Sequence, residues 1–359
     1  MPKEPAGPSW GELVLLFLAI GAVFVLTFSH FQAYLPSTAK VADNAGYIDI
    51  ARAIRVGRFN AITPKLFWGT AYAIDAVSLV CRVSESTALL VLSLLSGLAS
   101  ILLAFRIWGG WIAGYFLVLS MAWIQRVFLC GSEPLFVLLV FAAILLARRE
   151  KWLWAALCAS LATVVRPAGF FALASVGLVL LYRREYKRLA GAVLIGLAVG
   201  LAYVFPLWIY FGDPLATYHG YRGDWDSGFP LGLPFRPVIA AVWGTGRPAT
   251  NLALNLGWIC FSVVGLLLML RKEFRKYAGE HPYEVVFAIS YLVFLFSYNS
   301  SFWSYAEFPR FVIPVIPILL VAFGQYSPKR RSVIWTLAVV SSVLAAFSSV
   351  GIKHILHMI

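Results

Sequence analysis

The chain has 359 residues, of which 61% are hydrophobic and only 13% charged, with a formal net charge of +13. A soluble globule needs more polar surface than this composition supplies, so a polytopic membrane protein is left. The excess positive charge does not point to nucleic acid. It sits in short clusters between apolar runs: Arg148, Arg149 and Lys151; Arg183, Arg184, Lys187 and Arg188; Arg271, Lys272, Arg275 and Lys276; Lys329, Arg330 and Arg331. That spacing is the signature of short cytoplasmic loops under the positive-inside rule.

The N-terminal "MPKEPAGPSWGE" is too polar and proline-rich for a cleaved leader, and no small-residue cleavage pattern follows Leu13–Ser29, so this first apolar run is expected to stay as an anchor. Runs of about 17 to 22 apolar residues then recur, the length that crosses about 30 Å of hydrocarbon as a helix. The predicted spans are 12–30, 86–105, 109–128, 134–148, 152–166, 168–182, 189–210, 251–270, 284–299, 309–326 and 332–351. The expected fold is therefore all-α, a single integral membrane domain over 1–359 with about eleven transmembrane helices. With the N-terminus cytoplasmic, every basic cluster falls inside and the loops 31–85, 129–133, 211–250 and 300–308 fall outside.

The first outer loop, 31–85, is too long for a simple connector. "NAGYIDIARAI" reads as an amphipathic helix with Tyr47, Ile50, Ala51 and Ile54 on one side and Asp49 and Arg52 off it, suited to the membrane interface. The apolar segment 67–81 is short and carries Asp75; we read it as a surface or re-entrant helix in preference to a twelfth span. Asp43, just before the amphipathic helix, supports two readings. One is an N-cap. The other is a general base that accepts a proton from a sugar hydroxyl.

The outer loops hold most of the acids: Asp43, Asp49, Asp75 and Glu85 in the first, Glu133 in the second, Asp213, Asp224 and Asp226 in the third and Glu307 in the fourth. Glu133 opens a span, where a helix macrodipole also favours it. Arg166, in "TVVRPAGFF", lies between two apolar segments with no acid near it in sequence, and a phosphate suits its guanidinium fork. "FGDPLATYHGYRGDW" gathers Asp213, Tyr218, His219, Tyr221, Arg222 and Trp225, either a sugar-phosphate surface or an aromatic belt. "YAEFPRFVIPVIP" sets Glu307 and Arg310 three apart, close enough to pair on a helix. Pro314 and Pro317 follow, and broken helices of this kind are tolerated where they line a cavity.

No GxxxxGK[ST], HExxH, GxSxG or CxxC pattern is present, and Cys81, Cys130, Cys158 and Cys260 stand singly, so free, buried thiols are expected. No internal repeat or inverted pair of broken spans marks a two-fold transporter.

Four segments together resemble the GT-C superfamily of polytopic glycosyltransferases, in particular its mannosyltransferase-like branch, which includes the enzyme adding the second mannose of GPI anchors and its bacterial relatives. They are "ADNAGYIDIARAIRVGRF" (42–59), "GSEPLFVLLVFAAILLARREKWLWAALCASLATVVRPAGFF" (131–171), "FGDPLATYHGYRGDW" and "EFPRFVIPVIPILL" (307–320), in the family's order along most of the chain. The resemblance implies an extracytoplasmic site in the plasma (inner) membrane, a polyprenyl-phosphate-linked, mannose-like sugar as donor, and a glycan, lipid or protein acceptor. It implies Asp43 as general base, Arg166 and Arg310 on the donor phosphate, and Arg222 and His219 beside them. Tyr47, Glu133, Asp213 and Glu307 would line the cavity. The family's first loop often carries Trp-Asp or an acidic pair, whereas Asn44 follows Asp43 here, which leaves a divalent metal without sequence support. Outside that resemblance, the same acids and arginines also fit a lipid or small-solute transporter or flippase, or a non-catalytic envelope scaffold.

Overall fold

The computed structural model describes residues 7–31, 33–41, 43–58, 65–225, 228–236, 238–239, 249–300, 307–324 and 326–356. Asp226 and most of the 300–308 loop lie outside them. The described chain is helical, with one isolated β-bridge between Leu231 and Tyr298.

Among the described residues, four helices are long and apolar enough to cross a membrane alone: Trp10–Phe31, Glu85–Trp108, Tyr186–Phe211 and the 331–348 part of Arg331–Leu356. The predicted span 109–128 is instead broken at Ser120 into Gly110–Leu119 and Met121–Phe128, bent by 79°. Ser120 is extended there and its hydroxyl accepts the Trp123 N–H at 3.1 Å, so the break is capped. The predicted span 251–270 is the helix Ala249–Met269, which turns by 84° into Lys272–Glu280, a stretch read from sequence as cytoplasmic loop. The remaining expected spans are shorter helices: Glu133–Arg148, Trp152–Val165, Phe170–Tyr182 after a 3-10 turn, Pro282–Ser297, and a stretch interrupted at its prolines into Phe308–Phe311, Ile313–Val315 and Ile316–Ala322. The polytopic helical class holds, with fewer straight full-length helices than eleven among the described residues. Outward apolar side chains are what lipid demands. In Tyr186–Phe211 only 11% of the apolar window is buried.

The chain divides into two compact units. The first comprises 1–62, 68–141 and 326–359. Its opening helix starts with a reciprocal capping box, the Ser9 N–H donating to Glu12 at 2.6 Å and the Glu12 N–H to Ser9 Oγ at 3.3 Å. Trp10–Phe31 packs against Arg331–Leu356, and the short Met121–Phe128 helix fits close beside its neighbours because they present glycine. A Cβ at Gly21 would meet the Phe128 ring at 2.7 Å, and one at Gly97 would meet Val127 at 2.7 Å. The amphipathic segment forms Asn44–Val56 with Tyr47, Ile50 and Ala51 buried and Asp49 and Arg52 exposed, as its pattern requires. It packs on Gly69–Cys81, whose 13 residues extend about 20 Å, too short to cross and consistent with a surface helix. Arg55 ties these elements together, reaching Asp75 at 2.7 Å and Glu85 at 3.0 Å, so two of the acids in the first loop are structural ion-pair partners.

The second unit comprises 63–67 and 142–325. Trp152–Val165 packs on both Phe170–Tyr182 and Tyr186–Phe211. The reversal at "RPAG" depends on Gly169, where a Cβ would sit 2.4 Å from the Ala162 carbonyl carbon and the Thr163 nitrogen. Arg148, Tyr277 and Glu284 form a second fastening. Arg148 Nε lies 2.5 Å from Glu284 Oε1, and the Tyr277 hydroxyl donates to the same carboxylate. All four cysteines are free. Cys130 is buried, whereas Cys81 and Cys260 are exposed, which corrects the expectation of uniformly buried thiols.

Because backbone, not a mobile side chain, faces Gly169, Gly169→Ala is expected to destabilise the protein by about 1–3 kcal/mol. Thermal unfolding in detergent reads this directly, and an unchanged midpoint would show that the crossing relaxes freely.

Candidate active site

In the first unit, Asp43 occupies the N-cap position of Asn44–Val56, and its backbone carbonyl accepts the Tyr47 N–H at 3.0 Å. Its carboxylate makes no capping hydrogen bond. The cap reading of Asp43 is thus correct for its position and incorrect for its side chain. Asn44 does the bracing: it is buried, and its Nδ2 donates to the Thr38 carbonyl at 2.7 Å and to the Leu129 carbonyl at 2.8 Å. One turn on, the Tyr47 hydroxyl donates to Ser132 Oγ at 3.3 Å.

These bonds hold the 129–133 turn against the start of the helix that follows Asp43. Glu133, 2% exposed, opens the next helix from this turn. Its carboxylate folds back over Gly131, where a Cβ would lie 2.1 Å from Glu133 Oε2. The turn itself uses a left-handed Cys130, with φ of 65°. The structure therefore gathers Asp43, Tyr47 and Glu133 into one locally braced region, to which Asn44 and Ser132 contribute the bracing. Neither was singled out from sequence, although a buried Asn beside a helix start is the kind of residue that satisfies stray carbonyls.

In the second unit, Arg166 closes Trp152–Val165 in an extended conformation and its guanidinium lies over the Phe311 ring, 5.7 Å from the centroid. The neighbouring Arg310, only 7% exposed, pairs with Glu307 at 3.4 Å, as the three-residue spacing suggests. The Tyr291 hydroxyl donates to the Phe311 carbonyl at 2.8 Å, and Asn255 Oδ1 accepts the Phe308 N–H at 3.2 Å, so the interrupted segment is held at both ends. The Tyr298 ring lies 6.4 Å from that of Phe311. Its hydroxyl accepts from Trp225 Nε1 at 3.3 Å.

Lys65 completes this group. Its ammonium is 2.7 Å from an Asp224 oxygen and 5.7 Å from the Tyr221 ring centroid, and Gly220 permits the close backbone approach. Lys65 was not legible as a site residue, since it is one of six cations in the 31–85 loop and its partner lies far away in sequence. His219 and Asp213 form an exposed pair of their own, with Nδ1 and Oδ2 2.7 Å apart, and Arg222 is exposed on the adjoining turn. The hydrogen bond from His219, with that from the Leu215 N–H, holds the Asp213 carboxyl below the usual carboxylate range. Among the described residues, no three His, Cys, Asp or Glu side chains converge as a metal site.

The second unit can thus present a planar, aromatic-backed guanidinium, a buried arginine and a lysine, a donor set suited to phosphate. The first presents a carboxylate and a phenol suited to a hydroxyl substrate.

No protein-family model matches the chain, and no curated protein matches it. Among solved structures it is similar to ArnT from Cupriavidus metallidurans in a crystal structure bound to undecaprenyl phosphate, with a TM-score of 0.54 and 16% identity over 89% of this chain and 62% of that one. The crystal structure of the same protein in the apo state gives a TM-score of 0.49 and 16% identity, over 91% of this chain and 59% of that one. The chain spans about three fifths of the length of these structures. At this identity the likeness is one of fold alone, a polytopic helical membrane fold, and the mannosyltransferase-like branch is not carried by it.

Two outcomes follow from the geometry. Asn44→Ala removes the amide donor from the buried Leu129 carbonyl and leaves that of Thr38 with only the longer Val41 N–H bond at 3.3 Å, and is expected to cost about 1–3 kcal/mol, read as a lowered unfolding midpoint. A melting point equal to that of the unsubstituted protein would remove Asn44 as the brace. The Asp213 pair supplies a pH dependence. Its carboxyl is depressed in the folded chain, so the contribution is fully present above the ordinary aspartate range and is lost as pH falls through the folded value. Hydrogen–deuterium exchange over 213–225, corrected for intrinsic rates, should therefore rise on acidification, and Asp213→Asn should remove that rise.

Proposed function

We propose that this chain is a membrane glycosyltransferase that moves a sugar from a polyprenyl-phosphate donor to an acceptor hydroxyl on the extracytoplasmic side of the plasma (inner) membrane. The observation that carries the reading is Asp43, placed at a helix start braced by Asn44 and Tyr47 while its carboxylate is not spent on capping that helix. The fold likeness supports it, since the similar structure is described as bound to undecaprenyl phosphate, a lipid of the class proposed here as carrier. A mannose-like sugar, the finer expectation from the family resemblance, is the first donor to test.

The chemistry is a single inverting displacement. The acceptor oxygen attacks the anomeric carbon, Asp43 takes the hydroxyl proton as the new bond forms, and the bond from that carbon to the phosphate oxygen breaks. Polyprenyl phosphate departs with the electron pair, and cationic donors stabilise the charge that develops on it. In this reading Arg166 and Arg310 of the second unit serve the phosphate, with Lys65, Arg222, His219, Asp213 and Glu307 of that unit beside them, and Tyr47 and Glu133 of the first unit stand beside Asp43. The activated sugar-phosphate bond supplies the driving force, so the reaction draws on no nucleotide.

Purified full-length protein in detergent, offered mannosyl-, glucosyl- and arabinosyl-type polyprenyl phosphates, has no compartments across which to transport. Sugar transfer therefore separates an enzyme from a flippase. Asp43→Asn is expected to lower kcat by about 10²- to 10⁴-fold with the melting temperature kept. Arg166→Ala should lower kcat/KM through the donor. Full transfer activity in Asp43→Asn would overturn the base assignment, and absence of transfer from every donor would overturn the enzyme reading.

A further inference from the structure

The basic loop after Ala249–Met269 is built differently from the others. The chain bends by 84° at Leu270 and Arg271 and runs on as the nine-residue helix Lys272–Glu280. That helix turns Phe274 inward, where it is 5% exposed, and leaves Arg271, Lys272, Arg275 and Lys276 exposed. A helix bent sharply away from an apolar one, apolar beneath and basic above, has the chemistry of an element lying in the headgroup layer. At the bend there is a half-open cavity of about 140 Å³ lined by Leu268, Arg271, Glu273, Phe274, Tyr277 and Val321, with Ala322 at its edge.

The floor of that cavity is firm. The Tyr277 hydroxyl donates to Glu284, and Arg148 donates to Tyr277 at 3.0 Å while lying 5.9 Å from its ring centroid. Glu284 is therefore neutralised by Arg148 beneath the pocket, and the exposed charge around the rim is dominated by four cations against Glu273 and Glu280. A cleft partly lined by Leu268, Phe274 and Val321, with Arg271 in its wall and Lys272, Arg275 and Lys276 exposed nearby, matches one ligand chemistry, a phosphodiester headgroup with acyl chains running down beside the apolar helix.

We propose that the bend at 270–277 is a binding site for an anionic glycerophospholipid, with Arg271 on the headgroup phosphate at the cavity and Lys272, Arg275 and Lys276 holding the surrounding anionic leaflet. The site belongs to the face carrying the basic clusters and does not depend on the proposed transfer reaction. It adds a lipid that is neither donor nor acceptor.

The test uses the purified full chain in mild detergent, equilibrated with mixed phosphatidylcholine and phosphatidylglycerol and read by native mass spectrometry for lipid retained. The unsubstituted protein should keep phosphatidylglycerol in preference to phosphatidylcholine. The variant R271A/K272A/R275A/K276A should lose the preference by more than about tenfold, in line with about fivefold per cation at an anionic surface. Ala322→Trp, which fills the cavity and leaves every charge in place, should also release the lipid. R149A/R184A/K187A/R188A, which removes the same charge at other basic loops, should keep it. Retention in the first variant, or loss to the same degree in the last, would overturn the site in favour of general surface charge. Retention in Ala322→Trp would overturn the cavity. Inorganic phosphate in excess should leave phosphatidylglycerol bound, and its displacement would assign the cleft to a soluble anion and overturn the lipid. Circular dichroism of each variant separates loss of lipid from loss of fold.

Discussion

Buried within the protein, a helix that stops leaves carbonyls with no water to accept from, and this constraint organises the first unit. The helix Met121–Phe128 ends early; the Arg126 carbonyl takes the Gly131 N–H at 2.8 Å, and the carbonyls of Val127, Phe128 and Leu129 take side-chain donors. The Ser93 hydroxyl donates to those of Arg126 and Val127 at 3.1 and 2.9 Å, the Tyr34 hydroxyl to that of Phe128, and the Asn44 amide to that of Leu129. The donors come from three other segments, so satisfying one short helix fastens the Glu85–Trp108 helix, the Tyr34–Thr38 turn and the Asn44–Val56 helix to a common point. Asp43 precedes the last of these donors by one residue. Its position is a by-product of backbone accounting, which is a sturdier way to fix a carboxylate than asking it to hold itself through a cap.

The same constraint explains where sequence reading succeeded. Apolar length and charge spacing report on lipid contact, so the long helices near 12–30, 86–105 and 189–210 and the buried face of 44–54 were legible to within a few residues. They do not report on whether a helix is straight. The break at Ser120 falls inside a mostly apolar run, and only a serine that can cap, with glycines at 21 and 97 on the neighbouring helices, distinguishes it. The bend at Leu270 was hidden for the opposite reason: "RKEFRKYAGE" reads as solvated loop until the burial of Phe274 shows which face is held down.

Among candidate site residues, the legible ones were those whose charge had no local excuse. Asp43 and Arg166 stood out, whereas Asp75 and Glu85 looked equally unexplained and prove to be partners of Arg55. The difference lies in pairing between segments 20 and 30 residues apart, which periodicity cannot see. Lys65 was missed for the same reason, since its partner Asp224 is 159 residues away.

The second unit shows why arginine, and not lysine, stands at 166. The Arg166 guanidinium lies over the Phe311 ring, and a planar guanidinium packs on an aromatic face in a way that an ammonium, which has no plane, does not. Phe311 is itself held by the Tyr291 hydroxyl on its carbonyl, in a segment that Pro309, Pro314 and Pro317 prevent from forming one regular helix. Each proline sits in the first turn of its short helix, where its missing N–H has no helical partner, and together they break the segment around Arg310 and Phe311. Arg310 then tolerates 7% exposure because Glu307 is one turn away. A cationic, phosphate-suited surface in a membrane protein is thus assembled by the same rule as the carboxylate region in the first unit. The helix is interrupted, its stray groups are satisfied from neighbouring elements, and the residue beside the repair is held in a fixed position.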